Sequence, residues 1–153
     1  MVAVTSQIDA NSEAFAANRA SMMSFVERLR ALEARASEVS AKRRATFEKR
    51  GQLLPIDRLY RLLDPGMPFV RLHTLANFAV DNPDQEASIP GASVMVGIGF
   101  VGGVRCMIWV DDSGIAAGAM TTKTGEVATS LQEICKRQKL PLIHLVESAG
   151  ANL

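Results

Sequence analysis

The chain is poor in several residue types, and each shortage argues against a class of protein. Only two of its 153 residues are cysteine and two are histidine. Cys106 and Cys135 do not have the spacing of metal ligands, and two thiols are too few for a disulfide scaffold. We therefore expect two reduced thiols in an intracellular protein, with no metal bound to this chain.

Long apolar runs and an excess of charge of one sign are also missing. No segment reaches the roughly 18 apolar residues of a membrane-spanning helix. The net charge is +1, which gives no basis for general nucleic-acid binding. The N-terminus has no basic stretch before an apolar one, unlike a secretory signal. These features predict a cytoplasmic protein, or one of the mitochondrial matrix if the host is a eukaryote, with neither membrane nor nucleic acid as partner.

The first 66 residues predict helices. Residues 11–35 carry apolar side chains at helical spacing, with Asn11 or Ser12 as the N-cap and Glu13 in the first turn. The apolar positions are Phe15, Met22, Phe25, Val26, Leu29 and Leu32. Polar residues 40–50 predict a second helix that Gly51 ends, and residues 56–63 predict a third. We interpret residues 1–66 as an N-terminal helical region.

Residues 67–153 carry a different pattern, which predicts an α/β domain. Alternating residues 69–75 predict a strand, and residues 93–101 and 104–110 predict two more that Gly102 and Gly103 join as a hairpin. Residues 124–138 predict a helix, and residues 140–146 a short buried strand. Three strands, a helix and a fourth strand in this order are typical of a sheet with a helix packed on it.

Two motifs have more than one interpretation. Gly97, Gly99 and Gly102 fit the dinucleotide-binding GxGxxG pattern, but they lie inside the hairpin and no helix follows, which favours glycines that relieve a twisted sheet. His144 lies inside a predicted strand, where a buried structural role is favoured. Ser148 does not fit the Gly-x-Ser-x-Gly pattern of a nucleophile elbow, because Val146 stands in place of its first glycine, so no catalytic triad is predicted.

Residues 147–151, Glu-Ser-Ala-Gly-Ala, form a small-residue turn after a strand. Successive backbone N–H groups in such a turn can bind a developing oxyanion, although a plain tight turn has the same composition. The basic stretch that ends at Arg50 has two interpretations as well. It is either a solvated helix face or a surface that attracts a phosphorylated ligand such as coenzyme A.

In their order along the chain, several segments resemble the carboxyltransferase (β) subunits of biotin-dependent acyl-CoA carboxylases, most of all the methylcrotonoyl-CoA and geranyl-CoA type. The N-terminal matches are residues 6–9 and 15–18. Residues 50–55 with Arg58, and residues 62–69, resemble the family pattern RGKLL…R…LLDPGSPF. Residues 90–108 continue the match, and residues 140–153 resemble LP…DSGGANL. The resemblance covers nearly the whole chain.

The resemblance implies a crotonase-like fold of stacked ββα units, of which residues 67–153 would be the first part of the N-terminal domain. It also implies a longer subunit that forms a hexamer and works with a biotin-carrying α subunit. Carboxybiotin on that partner would supply the carboxyl group, and an acyl-CoA, such as methylcrotonoyl-CoA or geranyl-CoA, would accept it as its enolate. By itself, this chain is expected to be inactive.

The resemblance also implies site residues. The backbone N–H groups of Ala149 and Gly150 would form the oxyanion hole for the thioester enolate. The coenzyme A thioester would be bound by Ala117, Gly118 and Ala119, together with Lys123 and Arg50.

Departures from the family pattern leave two alternatives open. Gln52 and Ile56 stand where the family has cations, residues 116–122 replace its KGGTYYP loop, and Glu126 and Val127 replace a lysine pair. A diverged, non-catalytic assembly subunit would fit these losses. A crotonase-fold enzyme of other chemistry, such as a hydratase or decarboxylase, is the second alternative.

Overall fold

The computed structural model describes residues 5–151 and contains four α-helices and four strands within that range. Two compact units divide the chain, the first ending at Ala31 and the second beginning at Leu32. The predicted boundary after residue 66 therefore does not coincide with this division, and the second and third helices belong to the larger unit. The predicted domain limits stay a prediction.

Helix α1 spans Glu13–Ala41 and is longer than predicted. Ser12 caps it, because its Oγ accepts a hydrogen bond of 3.2 Å from the backbone N–H of Phe15. Glu13 lies in the first turn, where the helix dipole favours a carboxylate. Several side chains of the predicted apolar stripe are solvent-exposed in the first unit, since Met22 is 61% and Phe25 is 62% exposed.

Two short helices follow, and the second predicted helix is shorter than expected. Helix α2 covers Arg44–Lys49 and helix α3 covers Pro55–Leu62. Residues up to Ala41 continue α1 because Ser40 is buried and bonded to the sheet edge, which leaves only a turn before α2. Gly51, with φ +67°, lets the chain leave α2 as predicted.

A four-stranded sheet forms the centre of the second unit. Its strands are β1 (Val70–Leu72), β2 (Val94–Val101), β3 (Val104–Asp111) and β4 (Leu142–Leu145), in the order β1-β2-β3-β4. The hairpin of β2 and β3 turns at Gly102 and Gly103, as predicted, and both glycines have positive φ. Strand β1 is shorter than predicted because the next residue, His73, has left-handed backbone geometry with φ +55°.

A helix packs on each face of the sheet. Helix α4 spans Thr122–Gln138, two residues longer at its start than predicted, because Thr121 and Thr124 form a capping box. Its Val127 and Leu131 are buried on the face that also carries Trp109. On the opposite face Leu59 of α3 packs near Ile108. Two apolar layers therefore hold the hairpin between α3 and α4.

Strand β4 is half-exposed, so the prediction that residues 140–146 form a buried strand is wrong in that respect. Leu142 is 45% exposed and the side chain of His144 is 35% exposed. The physical reason is position, since among residues 5–151 β4 pairs only with β3. The predicted burial of His144 is wrong for the same reason.

Both cysteines are free thiols, as predicted. None of the helices in residues 5–151 combines the length and the apolar composition that crossing a membrane requires.

The two glycines of β2 lie where neighbouring side chains approach the backbone closely. A Cβ on Gly97 would lie 2.5 Å from the carbonyl oxygen of Val70 and 2.6 Å from Phe69 Cζ. In the GxGxxG pattern, Gly97 and Gly99 therefore serve sheet packing and Gly102 serves the hairpin turn, which confirms the structural interpretation.

We predict that Gly97→Ala lowers the free energy of unfolding by about 1–3 kcal/mol, because the added methyl group overpacks the β1–β2 contact. Gly125→Ala is the matched control. Gly125 lies in α4 with nothing near its Cβ position, so alanine there should raise stability by roughly 0.5–1 kcal/mol. Urea unfolding followed by circular dichroism measures both. Equal effects of the two substitutions would contradict the packing role of Gly97.

Candidate functional site

The candidate site lies at the edge of the sheet where the carboxyl ends of β3 and β4 meet. Strand β4 runs parallel to β3, so the segments that follow the two strands emerge side by side. Residues 116–118 follow β3 as a short 3₁₀ helix, Ala116–Gly118. Residues 147–151 follow β4, and we refer to them as the 147–151 turn. This edge joins segments that are about 30 residues apart in sequence.

Three hydrogen bonds connect residues 117–120 with the 147–151 turn. The N–H of Ala149 donates to the carbonyl oxygen of Ala117 at 3.1 Å, and the N–H of Met120 donates to that of Gly150 at 2.9 Å. The hydroxyl of Ser148 donates to the carbonyl oxygen of Gly118 at 2.7 Å. The structure thus brings together four of the predicted site residues: Ala117, Gly118, Ala149 and Gly150.

Residues 116–118 hold three consecutive left-handed backbone conformations. The φ angles are +48° for Ala116, +54° for Ala117 and +69° for Gly118. Such geometry costs an alanine roughly 1–2 kcal/mol, so the surrounding contacts must stabilise it. Gly118 is also required sterically, because a Cβ there would collide with the carbonyl oxygen of Glu147. Strained backbone of this kind concentrates at functional sites.

The two predicted oxyanion donors are hydrogen-bonded within the protein. Ala149 is not among the described non-glycine residues with positive φ, and Gly150 has φ +100°. The N–H of Ala149 donates to the carbonyl oxygen of Ala117, and the N–H of Gly150 donates to Ser148 Oγ at 3.1 Å. A ligand oxygen must therefore replace these acceptors to reach the donors. Their role in an oxyanion hole stays a prediction.

A cavity of about 360 Å³ lies beside this edge. Arg43 and Arg50 line it from the α2 side, and Ala117 and Glu147 line it from the sheet edge. Among residues 5–151, neither arginine forms an ion pair with a carboxylate. The cavity therefore presents two unneutralised cations next to Ala117, which suits an anionic ligand.

The remaining predicted substrate contacts lie elsewhere. Lys123 lines a different cavity, of about 400 Å³, and its Nζ lies 2.6 Å from Glu126 Oε2 in an ion pair. Ala119 lines a third cavity, of about 280 Å³, with Asn77 and Thr121. The structure therefore does not bring Lys123 to the cavity of Arg50, and its part in substrate binding stays a prediction.

Two acidic side chains, one after β3 and one after β4, support the edge. Asp112 Oδ1 accepts hydrogen bonds from Ser40 Oγ at 2.6 Å and from the N–H of Gly114 at 3.1 Å. Burial raises the pKa of Asp112, while the bonds from Ser40 and Gly114 act in the opposite direction. Glu147 pairs with Arg58 across the edge, with Oε2 at 2.5 Å from Nη1.

Asp111 was not predicted as a site residue, yet it accepts three hydrogen bonds. The donors are Trp109 Nε1, His144 Nε2 and the backbone N–H of Glu147. The available signal was the pair of adjacent carboxylates that ends an apolar strand, Asp111 and Asp112. In the part of the chain that the structure describes, no cluster of three or more His, Cys, Asp or Glu side chains could hold a metal ion.

Comparison with known proteins identifies the family of the chain. The model of the carboxyl transferase domain matches residues 47–153. The chain belongs to the carboxyl transferase domain family. It is 35% identical over 150 residues to the methylcrotonoyl-CoA carboxylase beta chain of Arabidopsis thaliana, covering 95% of this chain and 24% of that protein.

Solved structures of this family agree with the fold. The beta subunit of P. aeruginosa geranyl-CoA carboxylase superposes with a TM-score of 0.90 at 40% identity, over 99% of this chain and 28% of that one. Transcarboxylase 12S, described as a hexamer assembly, superposes with a TM-score of 0.65 at 21% identity, over 88% and 26% of the two chains. The predicted family and the crotonase-like α/β fold are confirmed. The chain spans about a quarter of the length of these relatives.

We predict that Gly118→Ala separates the 147–151 turn from residues 116–118. Its matched control is Gly103→Ala, because Gly103 also has positive φ but open space at its Cβ position. The control should cost about 1–2 kcal/mol of unfolding free energy, the price of left-handed geometry alone. Gly118→Ala should cost more, since its methyl group also meets the Glu147 carbonyl. Thermal or urea unfolding measures both variants. Equal losses of unfolding free energy would contradict the close approach of Gly118 to the Glu147 carbonyl.

We also predict that Asp112 makes stability depend on pH. The folded-state pKa is raised, so folding favours the protonated acid. Its contribution should be greatest near or below the ordinary carboxyl pKa of about 3.9 and should fall as the pH rises through the folded-state value. Asp112→Asn keeps an acceptor oxygen and cannot titrate. The stability of the wild type relative to this variant should therefore decline with rising pH in urea titrations, and a constant difference would contradict the assignment.

Proposed function

We propose that the chain forms the acyl-CoA side of a carboxyltransferase subunit in a biotin-dependent acyl-CoA carboxylase. The observation that carries the proposal is the junction of residues 116–118 with the 147–151 turn beside a cavity with two arginines, in a chain of the carboxyl transferase family. A methylcrotonoyl- or geranyl-type acyl-CoA is the proposed substrate, because the relatives of this chain are named as carboxylases of methylcrotonoyl-CoA and geranyl-CoA.

In the proposed function, two arginines provide the positive charge that binds the phosphate groups of the ligand. Arg43 and Arg50 would contact phosphate groups of coenzyme A, while Ala117 lies where the thioester portion could approach the backbone. Arginine suits phosphate because its planar guanidinium donates two parallel hydrogen bonds.

The backbone N–H groups of Ala149 and Gly150 supply the proposed catalytic step. Loss of a γ-proton from a methylcrotonoyl- or geranyl-type enoyl-CoA would place negative charge on the thioester oxygen, because the double bond conjugates the γ-carbon with the thioester carbonyl. Fixed N–H donors lower the barrier to this step, and removing one such donor typically costs about 3–4 kcal/mol. Binding would require the thioester oxygen to take the places of the Ala117 carbonyl and the Ser148 hydroxyl as acceptors. Carboxybiotin on a partner would supply the carboxyl group.

The proposed partners follow the same reasoning. A biotin-carrying α subunit and further copies of the subunit, as a hexamer, would complete the enzyme. The cytoplasm is the proposed location, or the mitochondrial matrix in a eukaryotic host, since the plant relative is named as mitochondrial.

The second candidate is a non-catalytic assembly subunit of such a carboxylase. It is favoured by the internal bonding of both predicted oxyanion donors and by the pairing of Lys123 with Glu126. The two candidates differ in one measurable property, since only the first makes substrate turnover depend on the cavity.

Affinity capture of the tagged endogenous protein from its host tests the proposal first. We expect a biotinylated protein to co-purify and the captured complex to carboxylate an acyl-CoA in the presence of ATP and bicarbonate. A captured complex with a biotinylated partner and full activity after alteration of the cavity would support the assembly role. Absence of any biotinylated partner would contradict both candidates.

We predict that Arg50→Gln raises the KM for acyl-CoA about tenfold, because a charge-assisted contact is worth roughly 1.5–3 kcal/mol when fully formed. Arg43→Gln should act in the same direction. Arg105→Gln is the matched control, since Arg105 is exposed on β3 and does not line this cavity. Steady-state kinetics of the captured complex measure all three. Equal KM values for Arg50→Gln and Arg105→Gln would exclude a phosphate contact at Arg50.

A further inference from the structure

Asp111 occupies a position that links three segments of the candidate site. It is the last residue of β3 and is 2% exposed. Its Oδ1 accepts hydrogen bonds from Trp109 Nε1 at 2.7 Å and from His144 Nε2 at 3.0 Å. Its Oδ2 accepts the backbone N–H of Glu147 at 3.0 Å. One carboxylate therefore ties β3, β4 and the start of the 147–151 turn together.

The geometry gives the carboxylate a directional role. Glu147 immediately precedes Ser148 and Ala149, which bond to Gly118 and Ala117. The hydrogen bond from the Glu147 N–H to Asp111 therefore holds the first residue of the turn in place. The hydrogen bond to this buried carboxyl group fixes the position of the Glu147 N–H.

His144 and Trp109 hold the carboxylate from the other side. The two rings are tilted by 38° with centroids 4.9 Å apart. Trp109 and His144 are paired neighbours on β3 and β4, so their donor nitrogens converge on the same oxygen. This leaves Oδ2 directed to the turn. The neighbouring Asp112 bonds to Ser40 and Gly114 instead and has no bond to the turn.

We propose that Asp111, oriented by His144 and Trp109, is a positioning residue that fixes the 147–151 turn against residues 116–118. The inference deepens the proposed function and rests on it only where the turn is said to act on an acyl-CoA. Asp111 itself does not touch the substrate. Its effect passes through the Glu147 N–H to the backbone donors at Ala149 and Gly150.

Hydrogen–deuterium exchange of the full chain tests the structural half of the proposal. Asp111→Asn has a single acceptor oxygen and presents an N–H₂ group in place of the other, so it cannot accept from all three donors. We expect amide exchange in peptides covering residues 146–151 to accelerate about tenfold or more. Exchange in β2 should stay unchanged. An equal rise in both regions, or none in the turn, would overturn the proposal.

Two further variants separate orientation from simple packing. Asp112→Asn is the matched control, because it makes the same chemical change one residue away, and the turn should keep its wild-type exchange. His144→Gln retains a donor for Asp111 and should preserve protection, whereas His144→Leu removes it and should accelerate exchange in the turn. If glutamine and leucine have the same effect at this position, His144 does not orient the carboxylate.

Kinetics of the captured complex test the functional half. Asp111→Asn should lower kcat about tenfold or more while the KM for acyl-CoA stays within about twofold, because the displaced donors act on charge that develops in the transition state. A rise in KM alone would contradict a positioning role. If the wild-type complex carboxylates no acyl-CoA, the proposed function fails, and the exchange experiment still decides whether Asp111 positions the turn.

Discussion

The parallel pairing of β3 with β4 is the constraint on which the rest of the site depends. Parallel neighbours need a long crossover, which α4 provides, and their carboxyl ends then lie at one edge. That arrangement places residues 116–118 beside the 147–151 turn. The apolar layers under α3 and α4 hold the hairpin in place, so the edge is supported by the core of the unit.

Two adjacent carboxylates at this edge are hydrogen-bonded to neighbouring segments. Asp111 and Asp112 are adjacent and buried, yet they bond in different directions. The first contacts β4 and the turn that follows it, and the second contacts Ser40 of α1. A buried carboxylate without hydrogen bonds would be costly, so each one fixes the segments that supply its donors. Backbone strain at Ala116 and Ala117 is sustained by the same connections.

The occupied N–H groups of Ala149 and Gly150 give the site a closed resting arrangement. Exchange of a protein acceptor for a ligand oxygen keeps the number of hydrogen bonds constant, so the cost of opening is mainly the cost of moving the turn. The unneutralised Arg43 and Arg50 are different, since an anion can approach them without breaking an ion pair. Under the proposed function, binding of the phosphate groups and stabilisation of the thioester enolate would therefore place different demands on the protein.

The sequence by itself indicated that there are four helices, a hairpin and a small-residue turn, and it indicated the family, because these depend on local periodicity, on glycines with positive φ and on ordered motifs. The extents of α1 and α2 differ from the prediction. It also indicated Ala117, Gly118, Ala149 and Gly150, which the fold brings into contact. Only the tertiary structure decided that β4 pairs in parallel with β3, that Lys123 pairs with Glu126, and that Asp111 joins His144 to Glu147. Those features depend on which distant residues meet across the sheet, and no local pattern encodes the direction in which a buried carboxylate finds its donors.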